Sequence, residues 1–257
     1  MFRVVIPARY ASTRLPGKPL LPLRGKPMLQ WVHEVAVASG ASEITIATDD
    51  ERILEAAAAF GAHAQLTSLT HVSGTDRIAE VALQAGWDES DVVVNLQGDE
   101  PMMPPELVSQ VAHLLLQHES AAIATLATRI TSIGDFMSTN VVKVVTDAEG
   151  RALYFSRAPI PWGRDTAASS LSSQRSFSAA RRHIGLYAYR VAALRQLSML
   201  KNGLLEQLEK LEQLRALEYG MEIRVADASA QPGPQVDTAE DLARVALLMN
   251  QAAGEAP

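Results

Sequence analysis

A loop after the first apolar run of the chain carries three cations within ten residues. It reads VVIPARYASTRLPGKPL and places Arg9, Arg14 and Lys18 among small side chains. Neighbouring cations repel one another unless an anion lies between them, and guanidinium and ammonium groups bind phosphate well. Pro16 and Pro19 restrict the backbone and hold the cations at set positions. The segment therefore predicts a polyphosphate-binding loop; the alternative is a solvated basic loop.

This loop differs from the common phosphate-binding motifs. Lys18 follows Gly17 but precedes Pro19, where a Walker loop has serine or threonine. Gly17 is its one glycine, so the loop does not match GxGxxG either.

Carboxylates in two distant segments have the character of magnesium ligands. Asp99 and Glu100 follow the apolar run VVVN, and Asp237 precedes a helical pattern near the end of the chain. Magnesium is typically bound by one or two carboxylates together with phosphate oxygens. Two structural alternatives remain open: Asp99 could stabilise a turn, and Asp237 could cap the last helix, with Glu240 completing a capping-box-like pattern.

Composition excludes several classes of function. The chain has 257 residues, of which 47% are hydrophobic and 20% charged, as a globular core requires. A net charge of −6 argues against duplex nucleic acid as the main partner. The absence of cysteine excludes disulfides, thiolate catalysis and iron–sulfur clusters. Neither a membrane-spanning apolar stretch nor a signal peptide is present, so we expect a cytoplasmic protein.

The elements that must position these residues alternate between strands and helices. Apolar runs predict strands at Val4–Ile6, Ile44–Ile46, about 64–67 and Val92–Val94. Amphipathic patterns predict helices over Pro27–Ser39, Glu51–Phe60, Thr75–Ala85 and around 107–115. This order predicts an α/β fold with a mostly parallel sheet covered by helices on both faces. In such folds ligands bind at the carboxyl ends of the strands, where the cationic loop and Asp99 lie.

The second half of the chain changes character. Strands are predicted at Val141–Thr146, Leu153–Phe155 and Ile184–Tyr189, and a polar, mobile loop around 163–180. A leucine-rich helix over Leu204–Leu217, a strand over Glu222–Val225 and a helix from about Thr238 follow. We therefore predict a single domain over 1–257, with a core formed by about 1–130 and 200–257 and an inserted mixed-strand arm over about 131–199.

Segments along nearly the whole chain together resemble one family. In chain order they are PARYASTRLPGKPL, HVSGTDR, LQGDEP, NVVKVV, YFSRAPIPW, RHIGLYAYR, LEQLRALEYG and VDTAEDL. The set is similar to 3-deoxy-manno-octulosonate cytidylyltransferases, the CMP-Kdo synthetases of lipopolysaccharide synthesis. The resemblance implies a Rossmann-like fold of the nucleotide-diphospho-sugar transferase type, with a homodimer formed through the inserted arm. It also implies transfer of CMP from CTP to Kdo with release of pyrophosphate, and a requirement for Mg²⁺.

The resemblance also implies a role for each candidate residue. Arg14, Lys18 and Asp99 would be catalytic, and Asp99 and Asp237 would bind the metal. The CTP site would comprise Pro7, Ala8, Arg9, Arg14, Lys18, Ser73, Gly74, Thr75, Arg77 and Gln97. The sugar-acid site would comprise Gln97, Arg157, His183, Tyr187, Glu212 and Gln213.

Each of these assignments has a structural alternative. The SGT segment could simply begin a helix, and Glu212 and Gln213 could be solvated helix residues. His183 and Tyr187 share one face of a strand, which suits either a common pocket or cross-strand packing. Arg157 is expected to pair with the substrate carboxylate.

The expected mechanism combines positioning with charge neutralisation. The anomeric 2-hydroxyl would attack the α-phosphate of CTP in line, and no residue is distinguished as a general base. Alternatives are a cytidylyltransferase for an 8-amino Kdo analogue or sialic acid, and a CTP-binding regulator without turnover. A metal-dependent glycosyltransferase would require a DxD-type pair, which Gly98-Asp99-Glu100 does not provide.

Overall fold

A computed structural model of the chain describes residues 1–12, 14–71, 73–163, 177 and 179–254. The strands are β1 (Arg3–Ala8), β2 (Pro22–Leu23), β3 (Lys26–Pro27), β4 (Glu43–Thr48), β5 (Ala64–Leu66), β6 (Val92–Asn95), β7 (Ile123–Arg129), β8 (Lys143–Thr146), β9 (Ala152–Ser156), β10 (Arg181–Arg190) and β11 (Ile223–Asp227). The α-helices are α1 (Met28–Ala38), α2 (Glu51–Ala59), α3 (Gly74–Gln84), α4 (Pro105–Leu116), α5 (Ile133–Met137), α6 (Val191–Met199), α7 (Leu204–Glu209), α8 (Gln213–Glu218) and α9 (Ala239–Gly254).

The main sheet has the strand order β11-β7-β10-β6-β1-β4-β5. Strands β4, β5 and β6 belong to one parallel set with β1, and β11 runs parallel to β7. Strand β10 runs antiparallel to both of its neighbours, β6 and β7. The prediction of a mostly parallel α/β sheet is therefore confirmed. The small strands β8 and β9 extend the sheet from β10.

Both faces of the sheet are buried under helices, as the apolar runs predict. Along β1, Val4 and Ile6 enter one hydrophobic cluster, which includes residues of α1, α2 and α4. Val5 points to the opposite face and belongs to a second cluster, which includes residues of α3, α6 and α8. This alternation follows from the two-residue period of a strand and explains why the central strands are continuously apolar.

Several element predictions need correction. The single helix predicted over Leu204–Leu217 is two short helices, α7 and α8, because Lys210 between them adopts a left-handed conformation (φ 54°). Strand β1 also continues through Pro7 to Ala8, beyond the predicted end at Ile6. Strand β7 and helix α6 were not predicted.

The predicted inserted arm contributes to the sheet itself. Strand β10 lies between β6 and β7, whereas β8 and β9 form an extension beside it. The division into core and arm stays a prediction, as does the mobile loop at 163–180, which falls almost entirely outside the described residues. No helix in the part of the chain that the structure describes is long and apolar enough to cross a membrane.

Candidate active site

The cationic loop and Asp99 meet where the strand order reverses. Strand β1 lies between β4 and β6, and the loops that follow β1 and β6 leave the sheet at its carboxyl edge. This is the switch point at which α/β sheets bind ligands. A cleft of about 350 Å³ opens there and is lined by Pro7, Ala8, Arg9, Ala11, Ser12, Arg14, Lys18, Pro19, Gly74, Gln97, Gly98, Asp99 and Asp237. We call this the nucleotide cleft.

Two glycines shape the cleft. Gly17 has a left-handed conformation (φ 67°) and donates its N–H to the carbonyl of Tyr10, which closes the loop. Gly98 approaches β1 so closely that a Cβ atom on it would lie 3.0 Å from the carbonyl oxygen of Pro7. A side chain at Gly98 would therefore push the loop that carries Asp99 away from β1.

Four charged residues of the cleft form one ion-pair network. The Lys18 ammonium donates to Asp99 Oδ2 at 2.6 Å and lies 3.4 Å from Asp237 Oδ1. Arg14 donates to the same Asp237 oxygen at 2.9 Å. The predicted catalytic and metal-binding residues are thus brought together from three distant segments. The loop is bound to these carboxylates, which contradicts the picture of a freely solvated basic loop.

The helix-capping alternative for Asp237 is wrong. Thr238 directly precedes α9, and its hydroxyl accepts the N–H of Asp241 at 3.2 Å. Asp241 in turn accepts the N–H of Thr238 at 3.1 Å, which completes a capping box. Glu240 is not the partner residue in this box. The Asp237 side chain is directed instead toward Arg14 and Lys18.

The paired carboxylates suit a magnesium ion. Asp99 and Asp237 both lie within reach of a single ammonium group, and the other oxygen of Asp99 accepts a hydrogen bond from Gln235 at 2.9 Å. Among the described residues, no group of three or more His, Cys, Asp and Glu side chains is placed to bind a metal. Two carboxylates completed by phosphate oxygens and water form a common magnesium site, so the residues fit that ion.

The SGT segment begins α3 beside the cleft. Ser73 caps the helix in a capping box with Asp76, and Gly74 lines the cleft. The Thr75 hydroxyl donates to Glu212 Oε2 at 2.8 Å, which connects α3 to α8. The helix-start reading is therefore confirmed, and it leaves the backbone of Gly74 available to a ligand.

Arg77 lies inside the protein. Its side chain is fully buried and donates to Asp49 at 2.7 Å and to the hydroxyl of Thr67. It lines neither the nucleotide cleft nor the cavity described next. The part of Arg77 in CTP binding stays a prediction. Because the side chain lines neither cavity, any such effect would be indirect, through the position of α3.

A larger cavity of about 990 Å³ adjoins the nucleotide cleft, and Asp237 lines both. We call this the acid-sugar cavity. Three of the predicted sugar-acid residues line it, namely His183, Tyr187 and Gln213. Other lining residues are Glu100, Thr128, Asn140, Val142, Arg182, Ile184, Gly185, Leu211, Gln231, Pro232, Gly233, Pro234, Gln235, Asp241 and Arg244.

His183 is held as a neutral imidazole at the wall of this cavity. Its Nε2 lies 3.0 Å from Thr125 Oγ1, and the single proton of that hydroxyl has the carbonyls of Ile184 and Leu186 within reach at 3.0 and 2.8 Å. When Thr125 donates to either carbonyl, its oxygen accepts from Nε2 of His183, and Nδ1 is left as an acceptor. The ring also packs edge-on against Phe155 at 5.0 Å. Burial lowers the pKa of His183 to about 3.

The remaining predicted sugar-acid residues lie around the cavity without lining it. Gln97 lines the nucleotide cleft, and Glu212 is bonded to Thr75. Burial raises the pKa of Glu212, with the Thr75 hydroxyl acting in the opposite direction. The Arg157 guanidinium donates to the backbone carbonyls of Glu209 at 2.7 Å and Thr139 at 2.9 Å. Arg157 therefore supports the wall that continues into Asn140.

Sequence reasoning missed several polar residues of the acid-sugar cavity. Arg182 lines the cavity, and among the described residues its side chain forms no ion pair. Arg244 also lines it but is paired with Asp241 at 2.9 Å. Arg182 is adjacent to His183 in the segment RHIGLYAYR, so a signal was present. Gln235 and Arg244 lie in stretches without distinctive spacing.

Glu100 is a further group that sequence reasoning left without a role. Its Oε2 atom is buried and has no hydrogen-bond partner in the described part of the chain. Burial, together with the neighbouring charge of Asp99, raises the pKa of Glu100 to about 8.

A family model and several known proteins match this chain over most of its length. Residues 3–223 match the family model described as cytidylyltransferase. The chain is 55% identical to 3-deoxy-manno-octulosonate cytidylyltransferase of Thioalkalivibrio sulfidiphilus over 96% of this chain and 98% of that protein. It is 54% identical to the protein of the same name from Pseudomonas fluorescens, with the same coverage.

A solved structure of CMP:2-keto-3-deoxy-manno-octonic acid synthetase complexed with CTP superposes with a TM-score of 0.88 at 42% identity, covering 98% of this chain and 100% of that one. Sequence identity at this level over nearly the full length of the relatives extends beyond a shared fold. The chain belongs to the cytidylyltransferase family, among the 3-deoxy-manno-octulosonate cytidylyltransferases.

Proposed function

We propose that the protein transfers CMP from CTP to the 2-hydroxyl of Kdo, releasing pyrophosphate and activating Kdo for lipopolysaccharide synthesis. The observation that carries the proposal is that the nucleotide cleft and the acid-sugar cavity meet at Asp237. The cleft is lined by cationic side chains, and the cavity by side chains that can form hydrogen bonds with hydroxyl groups. This arrangement suits a reaction that joins a triphosphate to a polyhydroxylated acid. The relatives named above carry the same activity in their names.

The nucleotide cleft would bind the triphosphate of CTP. Arg9, Arg14 and Lys18 supply positive charge along one wall. Arg9 also donates to the carbonyl of His71 at 2.8 Å, which keeps the loop close to the start of α3. The backbone of Gly74 would then lie near the nucleoside.

We propose that Asp99 and Asp237 bind Mg²⁺, which when present would supply positive charge to the phosphate oxygens. The protein's own residues hold the reactants in line. The 2-hydroxyl of Kdo attacks the α-phosphorus and gives its proton to water. As the new oxygen–phosphorus bond forms, the bond between the α-phosphorus and the bridging oxygen breaks, and pyrophosphate departs with that oxygen. Arg14 and Lys18 neutralise the charge that accumulates on the leaving pyrophosphate.

The acid-sugar cavity would bind Kdo. His183 offers Nδ1 as an acceptor, and Tyr187 and Gln213 offer further hydrogen-bonding groups to the sugar hydroxyls. Burial keeps the Tyr187 phenol protonated, since its pKa is raised well above the ordinary value. The substrate carboxylate would be bound by an arginine, for which Arg157 is the candidate from family resemblance and Arg182 the candidate from position.

Family resemblance also supports a homodimer and a cytoplasmic location. Dimerisation would involve the segment over about 131–199. Size-exclusion chromatography with light scattering measures the mass in solution, and a monomer of 27.7 kDa would contradict the dimer.

The direct test is pyrophosphate release with each of the four nucleoside triphosphates against a panel of 2-keto sugar acids with Mg²⁺. We expect CTP with Kdo to be the preferred pair. Preference for ATP or UTP, or no turnover with any pair, would contradict the proposal. Preference for the 8-amino analogue or for sialic acid would support the alternative cytidylyltransferases, and CTP binding without turnover would support a regulator.

A further inference from the structure

We propose that Lys18 excludes a divalent metal ion from Asp99 and Asp237 until a nucleoside triphosphate binds and its phosphate oxygens accept the ammonium group of Lys18. The inference rests on the proposed role of these carboxylates as metal ligands. It adds an order to binding: the metal binds tightly only together with the nucleotide.

The ammonium group of Lys18 is fully engaged by oxygen atoms around the proposed metal position. Its Nζ donates to Asp99 Oδ2 at 2.6 Å and to the carbonyl of Val236 at 2.9 Å, with Asp237 Oδ1 at 3.4 Å. An ammonium has three N–H donors, so these acceptors account for all of them. The side chain is 15% exposed, which shows that it is packed into the cleft.

A divalent ion and this ammonium group cannot share the two carboxylates. Both would need Asp99 and Asp237 as neighbours, and two cations at such short separation repel strongly where solvent is partly excluded. Binding of the metal to the free protein therefore requires the ion pairs of Lys18 to break first. That requirement lowers the metal affinity of the nucleotide-free state.

A triphosphate supplies new partners for the displaced cation. Lys18 and Arg14 both line the cleft, and both are paired with carboxylates. Phosphate oxygens can accept the N–H groups of Lys18, which leaves Asp99 and Asp237 free to bind a metal. By linkage, metal and nucleotide then increase each other's affinity by the same factor.

The test measures metal binding to the protein without nucleotide, with Mn²⁺ as the probe and electron paramagnetic resonance as the readout. Lys18→Met removes the charge but keeps an apolar chain of similar length. We expect Mn²⁺ to bind this variant at least about tenfold more tightly than the wild type, a difference of about 1.4 kcal/mol. Lys18→Arg retains the charge and should bind Mn²⁺ as weakly as the wild type.

Two controls locate the effect. Lys26 pairs with Glu34 away from the cleft, so Lys26→Met should leave Mn²⁺ affinity unchanged. Asp99→Asn in the Lys18→Met background should abolish the gain, because the gained site requires that carboxylate. Circular dichroism confirms that each variant is folded.

Equal Mn²⁺ affinity of folded Lys18→Met and wild-type protein would overturn the proposal. So would a gain that survives Asp99→Asn, because the metal would then be bound elsewhere. These outcomes are independent of the proposed function, which is tested by pyrophosphate release from the wild-type enzyme alone.

Discussion

At the scale of single residues, Lys18 connects the charges of the nucleotide cleft. Its ammonium group should stabilise the pyrophosphate leaving group, because it is held in the cleft beside the position expected for the phosphates. We expect Lys18→Ala to lower kcat by about 10²–10³-fold, as loss of about 3–4 kcal/mol of transition-state stabilisation would. Pyrophosphate release measures the effect, and Lys26→Ala is the matched control. Unchanged turnover in folded Lys18→Ala would exclude a catalytic role.

Asp237 is the residue at which structural and catalytic roles can be separated. Because Thr238 and not Asp237 caps α9, Asp237→Asn should leave the melting temperature nearly unchanged. It removes one of two charges that would face Mg²⁺, so we expect activity only at much higher Mg²⁺ concentration. The measurement is the Mg²⁺ dependence of pyrophosphate release for Asp237→Asn and Asp99→Asn. If Asp237→Asn shows the Mg²⁺ dependence of the wild type, Asp237 is not a metal ligand, and Asp99 alone remains of the two proposed carboxylate ligands.

Arg157 and Arg182 are the two candidates for binding the carboxylate of the proposed substrate. Arg157 is bonded to two backbone carbonyls, whereas Arg182 lines the acid-sugar cavity without an ion pair among the described residues. The arginine that binds the carboxylate should raise the KM for Kdo by about tenfold or more when changed to Gln, and leave the KM for CTP unchanged. We expect Arg182→Gln to raise the KM for Kdo and to leave the KM for CTP unchanged. Arg157→Gln should lower the melting temperature, because it removes hydrogen bonds to two backbone carbonyls. If only Arg157→Gln raises the KM for Kdo, Arg157 binds the carboxylate, as the family resemblance implies.

At the scale of elements, periodicity predicted most of the strands and helices up to α4 because each of those has one simple environment. Strands β1 and β6 are buried on both faces and read as continuous apolar runs. The break at Lys210 was not predictable, since lysine is a good helix former and its residue type gives no sign of the left-handed conformation that it adopts.

The candidate site was predictable to a similar extent and for a related reason. Loop residues with distinctive chemistry, such as Lys18 and Asp99, could be recognised in the sequence, and the structure brings them into contact. Arg182 was missed because its place on the cavity beside β10 can be seen only in the structure.

The cap of α9 provides a prediction at the element scale. Thr238 and Asp241 exchange hydrogen bonds at the start of this helix, directly after Asp237. Thr238→Ala should lower the free energy of unfolding by about 1 kcal/mol, the usual cost of losing a cap, while Thr238→Ser should retain it. Chemical denaturation measures both variants. A loss of stability in Asp237→Asn equal to that in Thr238→Ala would contradict the assignment of the cap.

At the scale of the whole molecule, one sheet provides both cavities. The nucleotide cleft lies at the carboxyl ends of β1 and β6, and the acid-sugar cavity uses the neighbouring antiparallel strand β10. Because β10 runs antiparallel to β6, it begins at this same edge of the sheet, and its His183 and Tyr187 line the cavity that Asp237 also lines. The reversed direction of β10 therefore places the two cavities side by side at one edge of the sheet.

His183 also couples this arrangement to the stability of the whole molecule. Burial lowers its pKa to about 3 in the folded protein, whereas an unfolded histidine has a pKa of about 6.5. Below pH 6.5 the unfolded chain therefore binds a proton that the folded protein does not, and stability falls as the pH decreases toward 3. The expected contribution is at most about 1.4 kcal/mol per pH unit. His183→Gln should remove this contribution, so its free energy of unfolding should fall less steeply than that of the wild type between pH 6.5 and 4.

The exposed His63 gives the matched control, and His63→Gln should keep the wild-type slope. Urea denaturation across this pH range measures all three proteins, and equal slopes for the wild type and His183→Gln would mean that His183 can be protonated within the fold.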